Sequence, residues 1–437
     1  MLIEFSVANY RSIKQKQTLS MVSSGWEKEF LGQVISHENK KLPNLVSSAV
    51  IYGPNASGKT NLLRALNFME WFVSFSQQKM QINESIDTVP FRFDTETNVS
   101  PSEFEVIFIN DGIRYQYGFS ADQKHIFDEW LYAYPRGAKQ TWFERKFDTY
   151  DIQENTQEKK CKYKWNNPAL KGSEKTIQEW KNATRDNGLF LAVAIQLNNE
   201  QLKPVFTWFQ KKLAVIGSID GLSRRYTAEQ YKIGNSTQGI LEITQYADPS
   251  IVAIEVEEAQ LSKLKEFEHF PKTIQEKILN DEKEGKKTLE ITCVHLDNKQ
   301  NPVNLNFREE SDGTKNLFAF AGLVLKTLEF GGILVIDEIN NSLHPLLVKK
   351  IIDLFHNPKV NKNRAQLIFS THDISILSKE VFRRDQIWFT EKDLANATAL
   401  FPLTDFKVTK EDSLAKRYLQ GRYGAIPYFE GGLVYGK

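Results

Sequence analysis

The chain has 437 residues, of which 41% are hydrophobic and 25% are charged, a balance typical of a globular protein with a sizeable core. Its 56 basic and 55 acidic residues nearly cancel, so the composition neither requires nor excludes a nucleic-acid partner. Cys161 and Cys293 lie far apart and outside any CxxC pattern, which favours two free thiols in a reducing compartment and argues against a structural zinc site.

The sequence has no signal for export or membrane insertion. The N-terminus, from Met1 to Phe5, lacks a signal-peptide pattern. No apolar run approaches the ~20 residues that span a bilayer, and the longest, from Leu317 to Leu328, is interrupted by Lys326. We therefore expect a cytoplasmic protein with no membrane partner.

The N-terminal part of the chain predicts a strand, followed by a strand–loop–helix unit. Leu2, Phe5 and Val7 alternate as in a strand and lead into residues 9–13. Residues 46–52 form a short β-rich run that ends at a glycine-containing loop. Residues 61–75 then place their apolar side chains on one side of a helix.

Residues 104–145 predict an antiparallel sheet beside this unit. Two alternating runs surround Asp111-Gly112, which is a strong hairpin signal. Further strands are expected at residues 129–134 and 142–145. The polar, lysine-rich residues 153–175 predict a loop.

The middle of the chain predicts one more strand and a helical insertion. The apolar run 189–195 fits a buried strand, followed by Gln196 and by a helix through Phe206 and Phe209. Residues 252–287 are rich in charge, with apolar residues at helical spacing on both sides of Pro271, which predicts about two solvated helices.

The C-terminal part returns to alternating strands and helices. Residues 332–336 and 366–370 are continuous apolar runs, which are typical of buried parallel strands. The whole pattern predicts an α/β fold with an antiparallel β subdomain. We divide it into an N-terminal lobe at 1–200, a helical insertion at 201–288 and a C-terminal lobe at 289–437.

One loop fits a phosphate-binding motif without a mismatch. The pattern GxxxxGK[ST] runs from Gly53 to Thr60, between a predicted strand and a predicted helix. Glycines let backbone N–H groups wrap phosphate oxygens, and a helix N-terminus adds its positive dipole end. Lys59 would contact the β- and γ-phosphates, and Thr60 would ligate Mg²⁺. The expected nucleotide contacts are Gly53, Asn55, Ala56, Ser57, Gly58, Lys59, Thr60 and Asn61.

The first C-terminal apolar strand ends in two acids. Asp337 would complete the coordination of Mg²⁺, and Glu338 would polarise the attacking water as general base. The alternative for such a pair is a strand that meets a solvated turn.

Four further features bear on the same site. Ser311 and Gly313 open an apolar helical stretch, either as a second anion-binding loop that serves another copy or as an ordinary helix cap. His372 follows the second apolar strand, where it would face a ligand crevice. Residues 341–345 would lie at a dimer seam, or begin a helix at Pro345. Gln196 would contact Mg²⁺ or water, or be a polar helix start.

These motifs, in this order, resemble the ABC-type ATPase heads of SMC, RecF and OLD-family proteins. They are most similar to the OLD-like "AAA family ATPase" proteins of bacterial defence islands. The segments that carry the resemblance are LIEFSVANYRSI, GPNASGKTNLLRAL, ESDGTKNLFAFAG, ILVIDEINNSLHP and IFSTHD. The resemblance implies an ABC/SMC-type head that hydrolyses ATP with Mg²⁺ in a composite site, completed when two copies form a homodimer or higher oligomer.

The resemblance also assigns roles residue by residue. It matches Lys59 and Thr60 to the phosphate and metal contacts, Asp337 to the metal aspartate, Glu338 to the catalytic glutamate, Ser311 and Gly313 to the signature loop, His372 to the switch histidine, and Arg11 to an arginine near the nucleotide. The chain departs from the family at Asp312, which replaces a signature glycine, and at His344, which stands where many relatives have an aspartate.

The candidate functions of the protein differ in the partner that each one requires. OLD nucleases carry a Toprim domain after the ATPase, but residues 373–437 are too few for one, so we expect a separate effector protein. This favours the sensor ATPase of an antiphage system, with a phage protein or DNA as trigger. The alternatives are an ATP-gated DNA-binding protein of the RecF type, with a basic face on residues 153–181, and a nucleotide-locked scaffold.

Overall fold

The computed structural model describes residues 1–27, 29–152, 159–260, 262, 267, 271–283, 288–341, 343–409 and 412–427. By internal contacts the chain forms two compact units. The first comprises Met1–Gly217, Thr327–Asn340 and Lys349–Lys437, and the second comprises Ser218–Lys326 and Asn341–Val348. The second unit includes residues 218–288 of the predicted insertion, and the boundaries at 200 and 288 stay a prediction.

The secondary structure alternates between strands and helices along the chain. The strands of the described residues are β1 (Leu2–Ala8), β2 (Gln17–Ser20), β3 (Val34–Ile35), β4 (Leu45–Val46), β5 (Ser48–Tyr52), β6 (Ser102–Asn110), β7 (Ile113–Ala121), β8 (Ile126–Tyr134), β9 (Gln140–Ile152), β10 (Lys159–Asn166), β11 (Leu213–Ile216), β12 (Ala253–Ala259), β13 (Thr288–Leu296), β14 (Pro302–Asn306), β15 (Ile333–Ile336), β16 (Gln366–Ser370), β17 (Ile387–Lys392) and β18 (Thr398–Pro402). The helices are α1 (Lys59–Lys79), α2 (Glu174–Ala183), α3 (Phe190–Gln196), α4 (Lys203–Lys212), α5 (Arg224–Lys232), α6 (Thr237–Gln245), α7 (Lys272–Lys283), α8 (Asp312–Phe330), α9 (Pro345–His356) and α10 (Leu414–Leu419).

The first unit contains the predicted antiparallel sheet, in the order β10-β9-β8-β7-β6-β1-β2. Its hairpin between β6 and β7 is confirmed: Asp111 and Gly112 have φ of 48° and 73°, as a two-residue turn of type I′ requires. The strands expected at 129–134 and 142–145 lie within β8 and β9.

The prediction of a loop at 153–175 is wrong for residues 159–166 and 174–175, whereas residues 167–173 lie outside helices and strands as predicted. Residues 153–158 lie outside the described residues, but 159–166 form β10, which pairs with β9 along its length. Its lysines alternate with Cys161, Tyr163 and Trp165, whose side chains are buried or half-buried. The period of two in this polar segment is the signal of an edge strand.

The first unit also contains a parallel sheet, in the order β11-β15-β16-β5-β17-β18, in which only β18 is antiparallel to its neighbour. The predicted buried strands at 332–336 and 366–370 are confirmed as β15 and β16, whose residues are all buried. Because β5, β16 and β15 are adjacent and parallel, their carboxyl ends lie side by side at one edge.

The core of the first unit surrounds α1. The predicted helix at 61–75 is confirmed and runs from Lys59 to Lys79. This helix contacts β1 and β6 of the antiparallel sheet, β11 of the parallel sheet, and α3 and α4. Its buried side chains, which include Leu66 and Phe72, join the two sheets in one apolar cluster.

The strand predicted at 189–195 is wrong, because this run forms α3. A short apolar run fits a buried helix as well as a buried strand, so its periodicity cannot decide between them. A contact from distant sequence decides it: the buried Glu129 carboxylate accepts hydrogen bonds from the backbone N–H groups of Phe190 (2.7 Å) and Leu191 (3.0 Å). Such bonds satisfy the first turn of a helix. The helix expected through Phe206 and Phe209 is confirmed as α4.

The described part of the second unit combines α5, α6, α7 and most of α8 with a three-stranded antiparallel sheet in the order β12-β13-β14. The prediction of two helices over 252–287 is wrong for residues 253–259, since Ala253–Ala259 alternates apolar and charged residues and pairs with β13. Pro271 directly precedes α7, and residues 261, 263–266 and 268–270 lie outside the described residues. None of the described helices is long and apolar enough to cross a membrane.

Candidate functional site

The predicted phosphate-binding loop connects β5 to α1, as its motif requires. A Cβ at Gly53 would collide with the Thr390 backbone, and one at Gly58, whose φ is 110°, would collide with the Thr398 side chain. Only glycine fits at both positions without displacing these neighbours. The loop is therefore held tightly against β17 and β18.

Lys59 is the first residue of α1 and is buried. Its Nζ donates hydrogen bonds to the carbonyl oxygens of Gly53 (2.7 Å) and Pro54 (3.0 Å). Burial lowers the pKa of Lys59 to about 8, while the nearby charges of Asp337 and Glu338 oppose that shift. The loop thus positions a weakly hydrated cation close to two acids.

A cavity of about 370 Å³ opens beside this loop. It is lined by Asn55, Ala56, Ser57, Gly58, Lys59, Thr60, Asn61, Arg64, Glu338 and His372. The structure therefore brings together most of the predicted loop contacts and all three residues predicted to be catalytic, Lys59, Glu338 and His372. Arg64 was not among the predicted site residues, although its position one helical turn after Thr60 places both on the same face of α1.

The two acids after β15 are held by the end of β16. The Ser370 hydroxyl donates a hydrogen bond to Asp337 Oδ1 (2.5 Å) and accepts one from the backbone N–H of Glu338 (2.8 Å). Glu338 has φ of 53°, a left-handed conformation that is costly for a residue with a side chain. Ser370 therefore fixes both acids at the sheet edge, and it could have been found in the motif that contains His372.

His372 lies next to Glu338 at the cavity wall, with its Nε2 3.6 Å from Glu338 Oε1. Burial and then the positive charge of Lys59 lower the pKa of His372, while Glu338 opposes the shift. Because its ordinary pKa is about 6.5, the imidazole is neutral at pH 7. A neutral imidazole can both donate and accept a hydrogen bond at this wall.

The predicted metal ligands are not all in one place. Thr60 lines the cavity, and Asp337 is buried and close enough to Lys59 to affect its pKa. A hydroxyl and a carboxylate beside a phosphate loop fit a Mg²⁺ ion that is shared with phosphate oxygens. Gln196 is the exposed last residue of α3 and does not line the cavity, and the strand that motivated its assignment does not form.

Arg11 does not line the cavity, but its neighbour is bonded to the phosphate loop. Ser12 Oγ accepts a hydrogen bond from Asn61 Nδ2 (2.8 Å) and lies 2.8 Å from Thr398 Oγ1. Thr398 Oγ1 in turn donates to the Ser57 carbonyl (2.9 Å). The loop after β1 is thus attached to the phosphate loop, while the role of Arg11 itself stays a prediction.

The predicted signature and seam residues belong to the second unit. Ser311 Oγ accepts a hydrogen bond from the N–H of Thr314 (3.1 Å), so the alternative of a helix cap is confirmed for α8. Pro345 is the first residue of α9, as the second alternative for residues 341–345 predicts, and Ser342 lies outside the described residues. A cap and an anion-binding loop can coexist, since each uses different atoms.

Comparison with known families identifies this type of site. Residues 48–164 and 216–378, well over half of the chain, match the AAA_21 family, described as "AAA domain, putative AbiEii toxin, Type IV TA system". The chain belongs to this family. The matched residues include the phosphate loop, both acids and His372. The predicted AAA-type nucleotide-binding domain is therefore confirmed, in a chain whose described residues form the predicted mixed α/β fold.

The solved structures that match this chain include two SMC heads. The SMC head domain from Thermotoga maritima has 12% sequence identity and a TM-score of 0.38, over 93% of this chain and 99% of that chain. An SmcHead bound to the C-winged helix domain of ScpA has 13% identity and a TM-score of 0.39, over 94% of this chain and 98% of that chain. No curated protein is significantly similar in sequence.

Proposed function

We propose that this AAA_21 protein hydrolyses ATP and uses the nucleotide as a switch, with each site completed by a second copy of the chain. The observation that carries the proposal is the cavity that unites the phosphate loop, Lys59, Glu338 and His372. Membership of an ATPase family supports nucleotide binding and ATPase activity. Glu338 and His372 lie beside the loop as a potential general base and a hydrogen-bond donor, which a protein that only binds nucleotide would not need.

Each residue of the site would have a separate role in phosphoryl transfer. Lys59 and the loop would bind the phosphates of ATP, and Thr60 and Asp337 would hold Mg²⁺, which neutralises charge on the phosphate oxygens. Glu338 would orient the attacking water and accept its proton. His372, as a neutral imidazole, would donate a hydrogen bond toward the γ-phosphate. Catalysis would then rest on positioning and charge stabilisation.

Gly313 supports the idea that a second copy completes the site. A Cβ there would meet only Ser311 Oγ, at 3.7 Å, so the fold has room for a side chain. Gly313 is the second residue of α8, where the surroundings would also accept a residue with a side chain. Its lack of a side chain is thus unexplained inside one chain, but it would let another copy's phosphate approach the first turn of α8 closely.

The biological role we propose is regulation of a separate effector in antiphage defence. The resemblance to OLD-like proteins of defence islands supports it, as does a family description that names a toxin of a toxin–antitoxin system. In this role the nucleotide state would hold or release the effector, with a phage protein or DNA as trigger. Cytoplasmic localisation belongs to the same proposal.

An ATP-gated DNA-binding function is the second candidate. The exposed Lys162 and Lys164 on β10 favour it, but Lys164 pairs with Asp148 at 2.6 Å. Lysines on an edge strand also serve to prevent sheet-to-sheet aggregation. Duplex binding that weakens steeply with salt would favour this candidate over the first.

The proposal is tested by the solution mass of the wild type and of Glu338→Gln, with and without Mg-ATP, each co-expressed with its neighbouring genes. We expect Glu338→Gln to bind ATP without hydrolysing it and to accumulate as the closed oligomer, with a changed complement of bound protein. Lys59→Ala is the control that loses nucleotide and stays in the nucleotide-free assembly. Masses and partners that are independent of nucleotide in all three proteins would contradict the proposal.

A further inference from the structure

A second cluster of metal-ligating side chains lies in the second unit. Asp248 follows α6, His295 lies on β13, and Glu310 directly precedes the cap of α8. One ligand atom from each of these residues lies within 4.8 Å of the other two. The three residues are far apart in sequence, so no local motif announces the cluster, and the cysteine pattern that argued against zinc does not bear on it.

The hydrogen bonds of this cluster require a proton between His295 and Glu310. The Ser250 hydroxyl donates to Asp248 Oδ1 (2.6 Å) and therefore accepts from His295 Nδ1, which lies 3.0 Å away. His295 Nε2 lies 2.8 Å from Glu310 Oε1, so one proton must be shared along that line. A carboxylate and an imidazole nitrogen that share a proton can instead share a metal ion, which displaces it.

We propose that Asp248, His295 and Glu310 bind a divalent transition-metal ion, with Zn²⁺ as the best fit. One imidazole and two carboxylates form a donor set typical of zinc, whereas Mg²⁺ and Ca²⁺ prefer oxygen ligands alone. Ligands around tetrahedral zinc lie about 3.4 Å apart. The three ligand atoms, which lie within 4.8 Å of one another, would have to move to that spacing around the ion, and water would take the fourth position.

The surroundings favour an ion bound to nitrogen and oxygen rather than to sulfur. The Glu310 side chain is only 4% exposed, and a buried carboxylate is costly without a cation. Cys293 is buried on the same strand as His295, but it is not among the ligand atoms that lie within 4.8 Å of one another. Ser250 would hold the free nitrogen of the ligating imidazole, as outer partners of zinc-bound histidines do.

The position of Glu310 gives the ion a consequence for the proposed switch. Glu310 is joined directly to Ser311, whose hydroxyl caps α8. An ion on Glu310 would fix the backbone that presents Ser311 and Gly313. This consequence rests on the proposed function, whereas binding of the ion does not.

The test is calorimetric titration of nucleotide-free protein with Zn²⁺ in buffers of different ionisation enthalpy. We expect one ion per chain with release of a proton, and a Kd that rises about tenfold or more in Asp248→Asn and in His295→Gln. His125→Gln is the matched control, because His125 also lies beside one aspartate, with its Nδ1 3.6 Å from Asp122 Oδ1. Its affinity should equal that of the wild type.

Wild-type protein that binds no Zn²⁺, or cluster variants that bind it as the wild type does, would overturn the proposal. Circular dichroism checks that each variant is folded. If His295→Gln is unfolded, Asp248→Asn is the variant that tests the proposal, because Asp248 is half-exposed. Lys59→Ala should bind Zn²⁺ unchanged, so failure of this site and failure of the ATPase are distinguishable.

Discussion

The buried Lys59 makes nucleotide affinity depend on pH. Its pKa is about 8 in the nucleotide-free protein, and the negative phosphates of bound ATP would raise it again. Above pH 8 the free protein has lost the proton that the complex retains, so binding must take one up. We expect the Kd for Mg-ATP to rise by up to about tenfold per pH unit between about pH 8 and pH 9.5.

Fluorescence titration with a labelled ATP analogue measures this slope. Lys59→Ala, which should lose nucleotide binding, should show only the signal of the unbound analogue at every pH. A wild-type Kd that does not change over this range would mean that Lys59 stays charged in the free protein, which would contradict the desolvation argument.

Ser370 is the residue whose loss should separate binding from hydrolysis. In Ser370→Ala, Asp337 loses its short hydrogen bond and the Glu338 backbone loses its acceptor, so both acids are less well positioned. We expect kcat to fall by about 10²-fold with little change in ATP affinity, since misplacement of about 1 Å has that effect. Steady-state ATPase kinetics measure it, and Ser375→Ala, which leaves these bonds intact, should keep the wild-type rate.

At the level of secondary structure, the sequence was most informative where function is encoded locally. The loop before α1 and the acids after β15 could be predicted, because the motif, the strand and the helix lie next to one another in the chain. The helix α3 could not be predicted, since its N–H groups are capped by Glu129, which lies some sixty residues earlier. Arg64 was also missed, because its place in the cavity depends on which face of α1 lines that cavity.

The same cap of α3 is a stability determinant. Glu129 forms an ion pair with Arg145, with Oε2 3.2 Å from Nη2, and both side chains are at most 1% exposed. In Glu129→Gln, the Arg145 charge is left buried without its partner. We expect the free energy of unfolding to fall by about 3–5 kcal/mol, as for other buried pairs that lose one charge.

Urea unfolding measures this difference. The control is Glu200→Gln, which breaks the exposed pair with Lys203 and should leave the midpoint unchanged. If the two variants unfold alike, the Glu129–Arg145 pair does not stabilise the fold.

At the scale of the whole molecule, we propose that each chain contributes one half to each of two composite sites. The phosphate loop and acids belong to the first unit, and Ser311 and Gly313 belong to the second. No contact within the described chain requires glycine at 313. The sequence motifs indicated both halves, but pairing between copies depends on surfaces that a single chain does not reveal.

The most direct test is complementation between two inactive variants, Lys59→Ala and Gly313→Asp. Gly313→Asp should fold, because there is space for a side chain at residue 313 and an acidic residue stabilises the first turn of a helix. The negative charge of the new aspartate would, however, repel a phosphate. In a mixture, a dimer of one chain of each kind has one intact site, so about a quarter of wild-type ATPase activity should return when half of the dimers are mixed. A mixture as inactive as either variant alone, from proteins shown to form mixed dimers, would contradict the composite site.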